Sequence, residues 1–531
     1  MHRRQLLATA LGTPLATPPL TAALARPAIA QTAARTLKFV PSADLASIDP
    51  LWSLAVISGT HGYMVWDTLF GIGLDSRPHP QMVQNAEVSA DGRVWTMTLR
   101  DNLIFHDNEP VRAADCLASI RRWSEKDPYG QTIAARTAEM KVLDDKRFQI
   151  ALTRPLRQFL YAMGSRNLFV MPERIARTPS TQQIKEVVGS GPFRFLRDEW
   201  VSGAHAHYAR FEKYVPRSEP ADLWSGGKIA HFDRVEWIVQ PDQATAAAAL
   251  RQGQVDWVEQ SPIDLIPMLR KAAGVKVEAL NPFGTLAILR FNHLHPPFDN
   301  PKLRRALLSA IDQQAYMSAV VGEQTDLAKH NVGFFTAGGP MENNAGMAAL
   351  TSPRDLALTR RLIAESGYKG ERIVMVAPSD LPAMMTMGQV TQDLMTRLGL
   401  NVDFQVMDWG TMISRMAKRD PVSAGGWSCY CVTWAGLTAA TPGSSYPLRA
   451  NGLGAGTGWP TDETLEALRT KWLDAGDAET EKAVAREIQT RAFETLPYIP
   501  LGQLYPASAY RDRLTGFVRS PLPLFWNVRA V

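Results

Sequence analysis

FNHLHPPFDNPKLRRALLSAIDQ (residues 291–313) reads as the end of a strand, a stiff loop and the start of a helix. Pro296 and Pro297 fix φ and lack a backbone N–H donor, so the loop cannot pair within a sheet. Asn300 is a good N-cap, and Pro301 takes the first helical position, where its missing N–H costs nothing. Apolar residues then recur at helical spacing and predict one buried face: Leu303, Ala306, Leu307, Ala310 and Ile311.

The size and composition of the chain predict a globular protein of two or three domains. Its 531 residues are too many for one small core, and 45% hydrophobic and 21% charged residues are ordinary values. The formal net charge is +5, and three of these charges lie in the first thirty residues, which contain no acid. The remaining +2 is nearly balanced, and no basic run interleaves with aromatic residues. We therefore expect no nucleic-acid partner.

Residues 1–30 have the pattern of an export signal. The pair Arg3-Arg4 forms a basic end, Leu6–Leu24 an Ala/Leu-rich middle, and Ala28-Ile29-Ala30 a small-x-small cleavage site. The arginine pair also resembles a twin-arginine signal, so the ordinary secretory route and the twin-arginine route both remain open. The first cysteine is Cys116, so none lies at the cleavage site to be lipidated. We expect a mature protein that is free in the periplasm and is not a lipoprotein.

Four strings spread along the chain carry a resemblance to a known family. They are residues 99–123 (LRDNLIFHDNEPVRAADCLASIRRW), 188–193 (VGSGPF), 244–259 (ATAAAALRQGQVDWVE) and 296–307 (PPFDNPKLRRAL). Together they resemble the extracellular solute-binding protein family 5, the periplasmic peptide and nickel class. The resemblance extends from about Leu37 to the C terminus. Asn108 and Cys116 depart mildly from it, because glycine and valine are usual there.

The resemblance implies an α/β fold, a two-lobed periplasmic binding protein of class II and the large peptide-binding type, with a hinge between the lobes. Chain crossings near Phe291-Asn292 and Pro497–Ile499 would form that hinge. The expected domains are the export signal (1–30), lobe I (31–291, with an inserted subdomain at about 75–187), lobe II (292–498) and a return to lobe I (499–531).

The implied function is the capture of a small solute, peptide-like or amino-acid-derived, and its delivery to the permease subunits of an ABC importer in the inner membrane. A monomer without cofactor or metal is expected. No catalytic residues are expected either, because the sequence has no HExxH and no G-x-S-x-G motif. The alternatives are a metal-chelate binder, a haem-binding protein or a chaperone on the same fold, and a secreted hydrolase. A methionine-rich stretch between Met384 and Met416 would suit a soft or hydrophobic ligand, although helix packing explains it better.

The resemblance also implies a ligand-binding set. Peptide binders of the family commonly carry, in a Gly-Trp-x-x-Asp context, an aspartate that pairs with the ligand's free amine. Here Gly426-Trp427 is followed by Ser428, Cys429 and Tyr430, so the aspartate is missing. We therefore expect a ligand held by stacking and neutral hydrogen bonds. The candidate ligand-binding residues are Thr60, His61, Tyr63, Trp66, Asp408, Trp409, Trp427, Tyr430 and Trp434.

Several of these positions have a second interpretation. The aromatic residues from Trp427 to Trp434 could instead be packing residues, and Asp408 could be the N-cap of a helix. Arg415 and Arg449 are possible carboxylate clamps, but surface arginines are the favoured interpretation. Cys429 and Cys431 share a face in an extended strand at a Cα separation of about 6.5 Å, so a disulfide would need a turn between them.

Overall fold

The computed structural model describes residues 35–53, 55–164 and 166–531. The predicted export signal lies outside these ranges. Across them, no helix combines the length and apolar character needed to cross a membrane. The chain forms two lobes, each built on its own sheet.

The first lobe is organised by a seven-stranded mixed sheet. Thr36–Val40 runs parallel to both of its neighbours, and the strand beyond Arg234–Ile238 is antiparallel to it. Large aromatic rings fill the core beneath this sheet, and Phe39 lies 4.8 Å from Trp257 and 5.0 Å from Phe525 between ring centroids. In spatial order the strands are Val275–Glu278, Ser508–Arg511, Trp257–Val258, Thr36–Val40, Arg234–Ile238, His205–Arg210 and Phe193–Phe195.

A four-stranded antiparallel sheet forms a subdomain of the first lobe, inside the predicted range of about 75–187. Its first hairpin turns at Asp91-Gly92, where Gly92 has a φ of 70°, as the Asp-Gly pair predicts. The helix Ala113–Ser124 buries Cys116 and Trp123 against this sheet. In spatial order the strands are Val83–Val88, Val94–Leu99, Arg147–Leu152 and Thr137–Val142.

Short helices and two small hairpins complete the first lobe. The helices are Val56–Val65, Ala113–Ser124, Pro128–Arg136, Phe159–Met163, Glu173–Ala176, Gln243–Arg251 and Ile266–Lys271. The hairpins pair Phe70–Ile72 with Pro78–Pro80 and Leu514–Thr515 with Arg529–Ala530.

The second lobe is built on a six-stranded sheet with helices packed against it. In spatial order its strands are Ala328–Lys329, Tyr498–Leu504, Thr285–Phe291, Cys429–Ala435, Ile373–Pro378 and Val402–Met407. Its helices are Pro301–Leu308, Gln313–Val321, Ala348–Thr351, Leu356–Glu365, Pro382–Arg397, Trp409–Met416, Glu463–Leu473 and Ala478–Thr495. The Asn300 side chain accepts from the Lys302 N–H at 3.0 Å, which confirms the predicted N-cap.

The two chain crossings lie elsewhere than predicted. Thr285–Phe291 and Tyr498–Leu504 pair with each other in the centre of the second-lobe sheet, so both belong to lobe II. The crossings are therefore residues 279–284 and 505–507. The sequence misplaces them because a buried apolar strand reads the same in either lobe, and only its non-local partner fixes the lobe to which it belongs.

The crossings are held close together beside the second-lobe sheet. The Gln503 amide donates to the Phe283 carbonyl at 2.9 Å and to the Tyr505 hydroxyl at 2.9 Å. Gly284 has a φ of 52°, and a Cβ added there would lie 2.2 Å from the Leu504 carbonyl oxygen. Both the left-handed backbone and the close approach require glycine at this point of the hinge.

Candidate ligand-binding cleft

The second-lobe wall of the cleft begins where the strand Cys429–Ala435 ends. Ala435 pairs with Thr285, the first strand residue after the crossing, so this end of the strand lies beside the hinge. We call the following residues, 436–449, the cleft loop. Its Leu437 packs against the core of the first lobe, so the loop spans the gap between the lobes.

The first-lobe wall includes the start of the helix Pro128–Arg136. The Tyr129 hydroxyl lies 3.4 Å from the Thr441 hydroxyl of the cleft loop. Gly443 passes so close to the same tyrosine that an added Cβ would lie 2.2 Å from its hydroxyl oxygen. The two lobes are therefore in direct contact along this edge of the cleft.

Asp127 caps that helix and carries the acidic charge of the first-lobe wall. Its Oδ1 accepts from the backbone N–H groups of Tyr129 at 2.8 Å and Gly130 at 3.1 Å. Burial raises the pKa of Asp127 to about 6, against the lowering effect of those donors and of the Arg449 charge across the cleft. The charge of the Asp127 carboxylate therefore depends on pH near 6 and on the charge of a ligand beside it.

Two aromatic rings and an arginine form the polar end of the second-lobe wall. Trp434 and Tyr446 lie 5.4 Å apart between ring centroids at an interplanar angle of 39°. The Arg449 guanidinium lies 5.8 Å from the centroid of the Tyr446 ring, within reach of a cation–π interaction. Burial lowers the pKa of Arg449, and the neighbouring Arg469 lowers it further. The wall combines a flat apolar surface with a positive charge.

A cavity of about 80 Å³ lies at the hinge between the lobes. Its lining includes Glu259 from the first lobe and Thr285 and Ala435 from the second. Ligand pockets usually enclose about 300–1,000 Å³, so this hinge cavity is smaller than a usual ligand pocket. Glu259 accepts from the Ser42 N–H at 2.7 Å, and burial raises its pKa.

The four candidates predicted for the first-lobe wall are buried in the core of that lobe. The His61 Nδ1 lies 2.8 Å from the Tyr208 hydroxyl, and burial lowers the pKa of His61 to about 3. The reason is that nearly every residue of the helix Val56–Val65 is buried, so it has no face left for the cleft. These residues contribute packing rather than a contact surface, and they are Thr60, His61, Tyr63 and Trp66.

Trp427 and Tyr430 are likewise core residues of the second lobe. The Trp427 indole donates to the Met416 carbonyl at 3.0 Å, and its ring lies 5.0 Å from that of Tyr430. Tyr430 precedes Ala435 by five residues, which is about 16 Å along a strand. The structure therefore favours the packing interpretation for both. Trp434, one residue from the cleft end, is partly exposed.

Asp408 and Trp409 lie at the cleft end of the second-lobe sheet but toward its edge. The strand Val402–Met407 is separated from Cys429–Ala435 by one parallel strand, and parallel strands end at the same edge of a sheet. The exposed Asp408 accepts from the Thr411 hydroxyl at 2.5 Å and from the Thr411 N–H at 3.0 Å, so it is a helix N-cap, and these hydrogen bonds lower its pKa. A role for Asp408 and Trp409 at the rim of the cleft stays a prediction.

Several cleft residues escaped prediction from the sequence. Asp127 and Tyr129 follow Trp123 in a helix–turn–helix segment that reads as ordinary surface, and Tyr446 sits in a loop without periodicity. The one available signal was compositional, because the sixteen residues from Trp434 to Arg449 contain no acid and a single cation. Arg415, the other suggested clamp, donates to the Gly426 carbonyl at 2.9 Å within its own lobe.

One group among the described residues brings metal-ligand atoms together. Single atoms of Asp75 and His79, on the hairpin that follows the helix Val56–Val65, and of Asp222 all lie within 4.8 Å of one another. Hydrogen bonds within the protein already engage these atoms, since His79 Nε2 lies 3.0 Å from Asp75 and Asp222 accepts from the Leu74 N–H at 3.0 Å. All three cysteines are free and buried, so Cys429 and Cys431 are not bridged.

Comparison with known proteins fits this two-lobed geometry. A family model described as the middle part of bacterial extracellular solute-binding proteins, family 5, matches residues 77–454. The chain belongs to this family. Family 5 proteins are the substrate-binding components of transport systems, which confirms the resemblance on which the fold and function were predicted.

Individual relatives extend over nearly the whole length of this family 5 chain. A probable peptide ABC transporter periplasmic-binding protein from Sinorhizobium fredii is 39% identical, over 96% of this chain and 97% of its own. A dipeptide-binding protein from Pseudoalteromonas sp. SM9913, solved in complex with Met-Leu, has a TM-score of 0.78 at 19% identity, covering 93% of this chain and 100% of that one. A binding protein solved in complex with agropinic acid from A. tumefaciens R10 has a TM-score of 0.75 at 20% identity, covering 93% and 99%. These structures confirm the predicted fold.

Proposed function

We propose that this chain is the exported receptor of an ABC importer and that it encloses its solute between the lobes. The observation that carries the proposal is the contact of the cleft loop with the first lobe beside two short crossings, 279–284 and 505–507. Two lobes joined by short segments can rotate about them without breaking either core. A solute that touches Asp127 on one wall and Trp434 on the other would then favour the closed arrangement.

The mechanism follows from differential affinity. A solute that contacts both walls only when they are close shifts the population toward closure by its extra binding free energy in that state. The closed protein presents the permease with a surface that the open form lacks. The chain holds the solute through hydrogen bonds, charge and packing and changes no covalent bond in it.

We propose a small peptide-like or amino-acid-derived compound as the solute. The S. fredii relative is named as a peptide-transporter binding protein, and the two solved relatives hold the dipeptide Met-Leu and agropinic acid. The cleft loop has no Asp or Glu to pair with a free ammonium group, and Asp127 on the facing wall has its Oδ1 engaged by two backbone N–H groups. A buried ammonium without a partner is costly to desolvate. Solutes whose α-amine is blocked or absent are therefore favoured.

The location follows from the same proposal. The family works in the periplasm, and residues 1–30 carry a signal pattern without a cysteine for lipidation. We propose export by either the secretory or the twin-arginine route, release as a free monomer, and docking to permease subunits in the inner membrane.

Native mass spectrometry of protein exported and purified without refolding tests the proposal. We expect an added mass of a small organic solute that disappears on denaturation. Small-angle scattering of the solute-bound and stripped protein should give the smaller radius of gyration for the bound form. A retained haem or metal ion, or a protein to which no peptide or amino-acid derivative binds, would contradict the proposal.

A further inference from the structure

Arg449 differs from the other enclosed arginines of the second lobe in having no acceptor. Arg290 donates to the carbonyl of Thr457 at 2.6 Å, and Arg304 to those of Phe298 at 2.6 Å and Thr495 at 2.8 Å. The Arg449 guanidinium is half-buried and lies over the Tyr446 ring, yet it donates no hydrogen bond and forms no ion pair with any residue in the described ranges. Five N–H donors are thus left for a group that is not part of the protein.

The acids near Arg449 are already engaged by other groups. Glu466 accepts from both Arg469, at 2.7 Å, and the backbone N–H of Ala450, at 2.7 Å. Asp127 lies close enough across the cleft to influence the charge of Arg449, but its Oδ1 caps a helix and the two side chains form no ion pair. The guanidinium is therefore positioned beside acids without being neutralised by them.

The surroundings of Arg449 suit one end of an organic acid. A guanidinium presents two parallel N–H groups that match the two oxygens of a carboxylate, and a partly desolvated site strengthens such a pair. The rings of Tyr446 and Trp434, tilted 39° to each other, continue the wall beside it and offer apolar surface for the adjoining part of the same molecule. The charges of Arg449 and of Asp127 on the first-lobe wall influence each other, so the guanidinium faces the first lobe, beside the exposed ring of Tyr446.

We propose that Arg449 is the residue that binds a carboxylate of the solute and so sets a preference for acids over their neutral amides. The inference rests on the proposed function, since it names the chemistry recognised by the same cleft. It predicts a solute with a carboxylate at one end and an apolar or planar portion within reach of the Trp434–Tyr446 pair.

Calorimetry with defined probes tests the inference. N-acetyl-Met-Leu, its C-terminal amide and agropinic acid are titrated into the wild type and into Arg449→Gln, Arg449→Lys and Arg486→Gln. Arg486 is an exposed arginine of the helix Ala478–Thr495, so its variant makes the same charge change outside the cleft. Melting temperatures recorded for all four proteins show that each variant is folded.

We expect the wild type to bind at least one of the two acids and to bind the amide about 10- to 100-fold more weakly than N-acetyl-Met-Leu, the range for a lost charge-assisted hydrogen bond. Arg449→Gln should lose the same factor for the acids and nothing for the amide. Arg449→Lys should lose less, and Arg486→Gln should behave as wild type.

The remaining outcomes separate this inference from the function on which it rests. Equal binding of acid and amide by the wild type, or acid binding unchanged in Arg449→Gln, overturns the role of Arg449 while leaving a working solute receptor. If the wild type binds the amide and neither acid, the role of Arg449 is also overturned and the protein is still a solute receptor. If no probe binds and the radius of gyration never changes, both the role of Arg449 and the proposed function fail.

Discussion

Arg157 Nε lies 2.9 Å from Glu481 Oε1, and the two residues belong to different lobes. The same oxygen accepts from the Gln158 amide at 2.6 Å, and the Glu481 side chain is only 9% exposed. A second pair crosses nearby, where Arg136 lies 2.8 Å from Asp474. These contacts join the first-lobe subdomain to the last two helices of the second lobe. They form only when the lobes are close, so they add to the stability of the closed arrangement.

Glu481→Gln should therefore shift the lobes toward the open arrangement. Arg157 is about half exposed, so solvent screening limits the loss to about 1 kcal/mol, or several-fold in solute affinity. Small-angle scattering should show a larger radius of gyration for the unliganded variant, with the wild-type value recovered at saturating solute. Glu479→Gln is the matched control, because Glu479 is exposed on the same helix and pairs only with Lys482. Equal radii for the two variants would show that the Arg157–Glu481 pair does not hold the lobes together.

Trp434 and Trp427 should respond in opposite ways to truncation. Trp434 is partly exposed at the cleft, so Trp434→Ala should weaken solute binding by about 1–3 kcal/mol with little change in melting temperature. Trp427 is 1% exposed and hydrogen-bonded in the core, so Trp427→Ala should cost about 3–5 kcal/mol of unfolding free energy. Calorimetry and thermal unfolding of both variants give the comparison. If Trp427→Ala is as stable as the wild type but binds the solute more weakly, Trp427 lines the cleft and is not a core residue.

The string at 291–313 predicted its local structure because every signal in it is short-range. The Asn300 cap and Pro301 start the helix as expected, although it ends at Leu308 and a second helix begins at Gln313. The cleft was harder to predict, because a tryptophan has the same pattern in a core as in a binding wall. Trp427 lies just before the strand Cys429–Ala435 and Trp434 near its end, and which of these ends faces the cleft depends on partners far away in sequence.

The stability of the protein should fall as the pH drops below neutrality, and His61 should be a main cause. Its pKa is near 6.5 when unfolded and about 3 in the fold, because burial disfavours the charged ring. The neutral histidine therefore stabilises the fold fully above pH 6.5, and that stability is lost as the pH falls from 6.5 toward 3. At roughly pH 5 the loss is about 2 kcal/mol.

Urea unfolding of His61→Gln across this range measures the effect. The unfolding free energy of the variant should fall less steeply with decreasing pH, because unfolding then takes up as much as one proton fewer. This holds even if the variant is less stable than the wild type at pH 7. His79→Gln replaces an exposed histidine and serves as the control. If the unfolding free energies of the wild type and of His61→Gln fall in parallel with pH, protonation of His61 is not a cause of the loss of stability.

Gly284 should tolerate no side chain. An added Cβ would lie 2.2 Å from the Leu504 carbonyl oxygen, and the φ of 52° is itself strained for other residues. Gly284→Ala should lower the unfolding free energy by about 2 kcal/mol or more, and should alter closure because it spreads the two crossings. Gly322 has a φ of 54° with nothing within 4 Å, so Gly322→Ala isolates the backbone strain. If thermal unfolding shows the same loss of stability for both variants, the close contact with the Leu504 carbonyl adds no cost beyond the backbone strain.

A blocked α-amine should favour binding. The cleft loop offers no carboxylate, and Asp127 on the opposite wall has a pKa raised to about 6 by burial, so it is a poor partner for an ammonium group near that pH. N-acetyl-Met-Leu should therefore bind more tightly than Met-Leu in calorimetry at pH 6.

If Met-Leu binds equally well, one carboxylate must hold its amine. Asp127→Asn and Asp408→Asn then identify it, because loss of Met-Leu binding in one alone places the amine on that wall. Strong Met-Leu binding unaffected by either change would mean that neither carboxylate holds the amine and that the expected preference for a blocked amine is wrong.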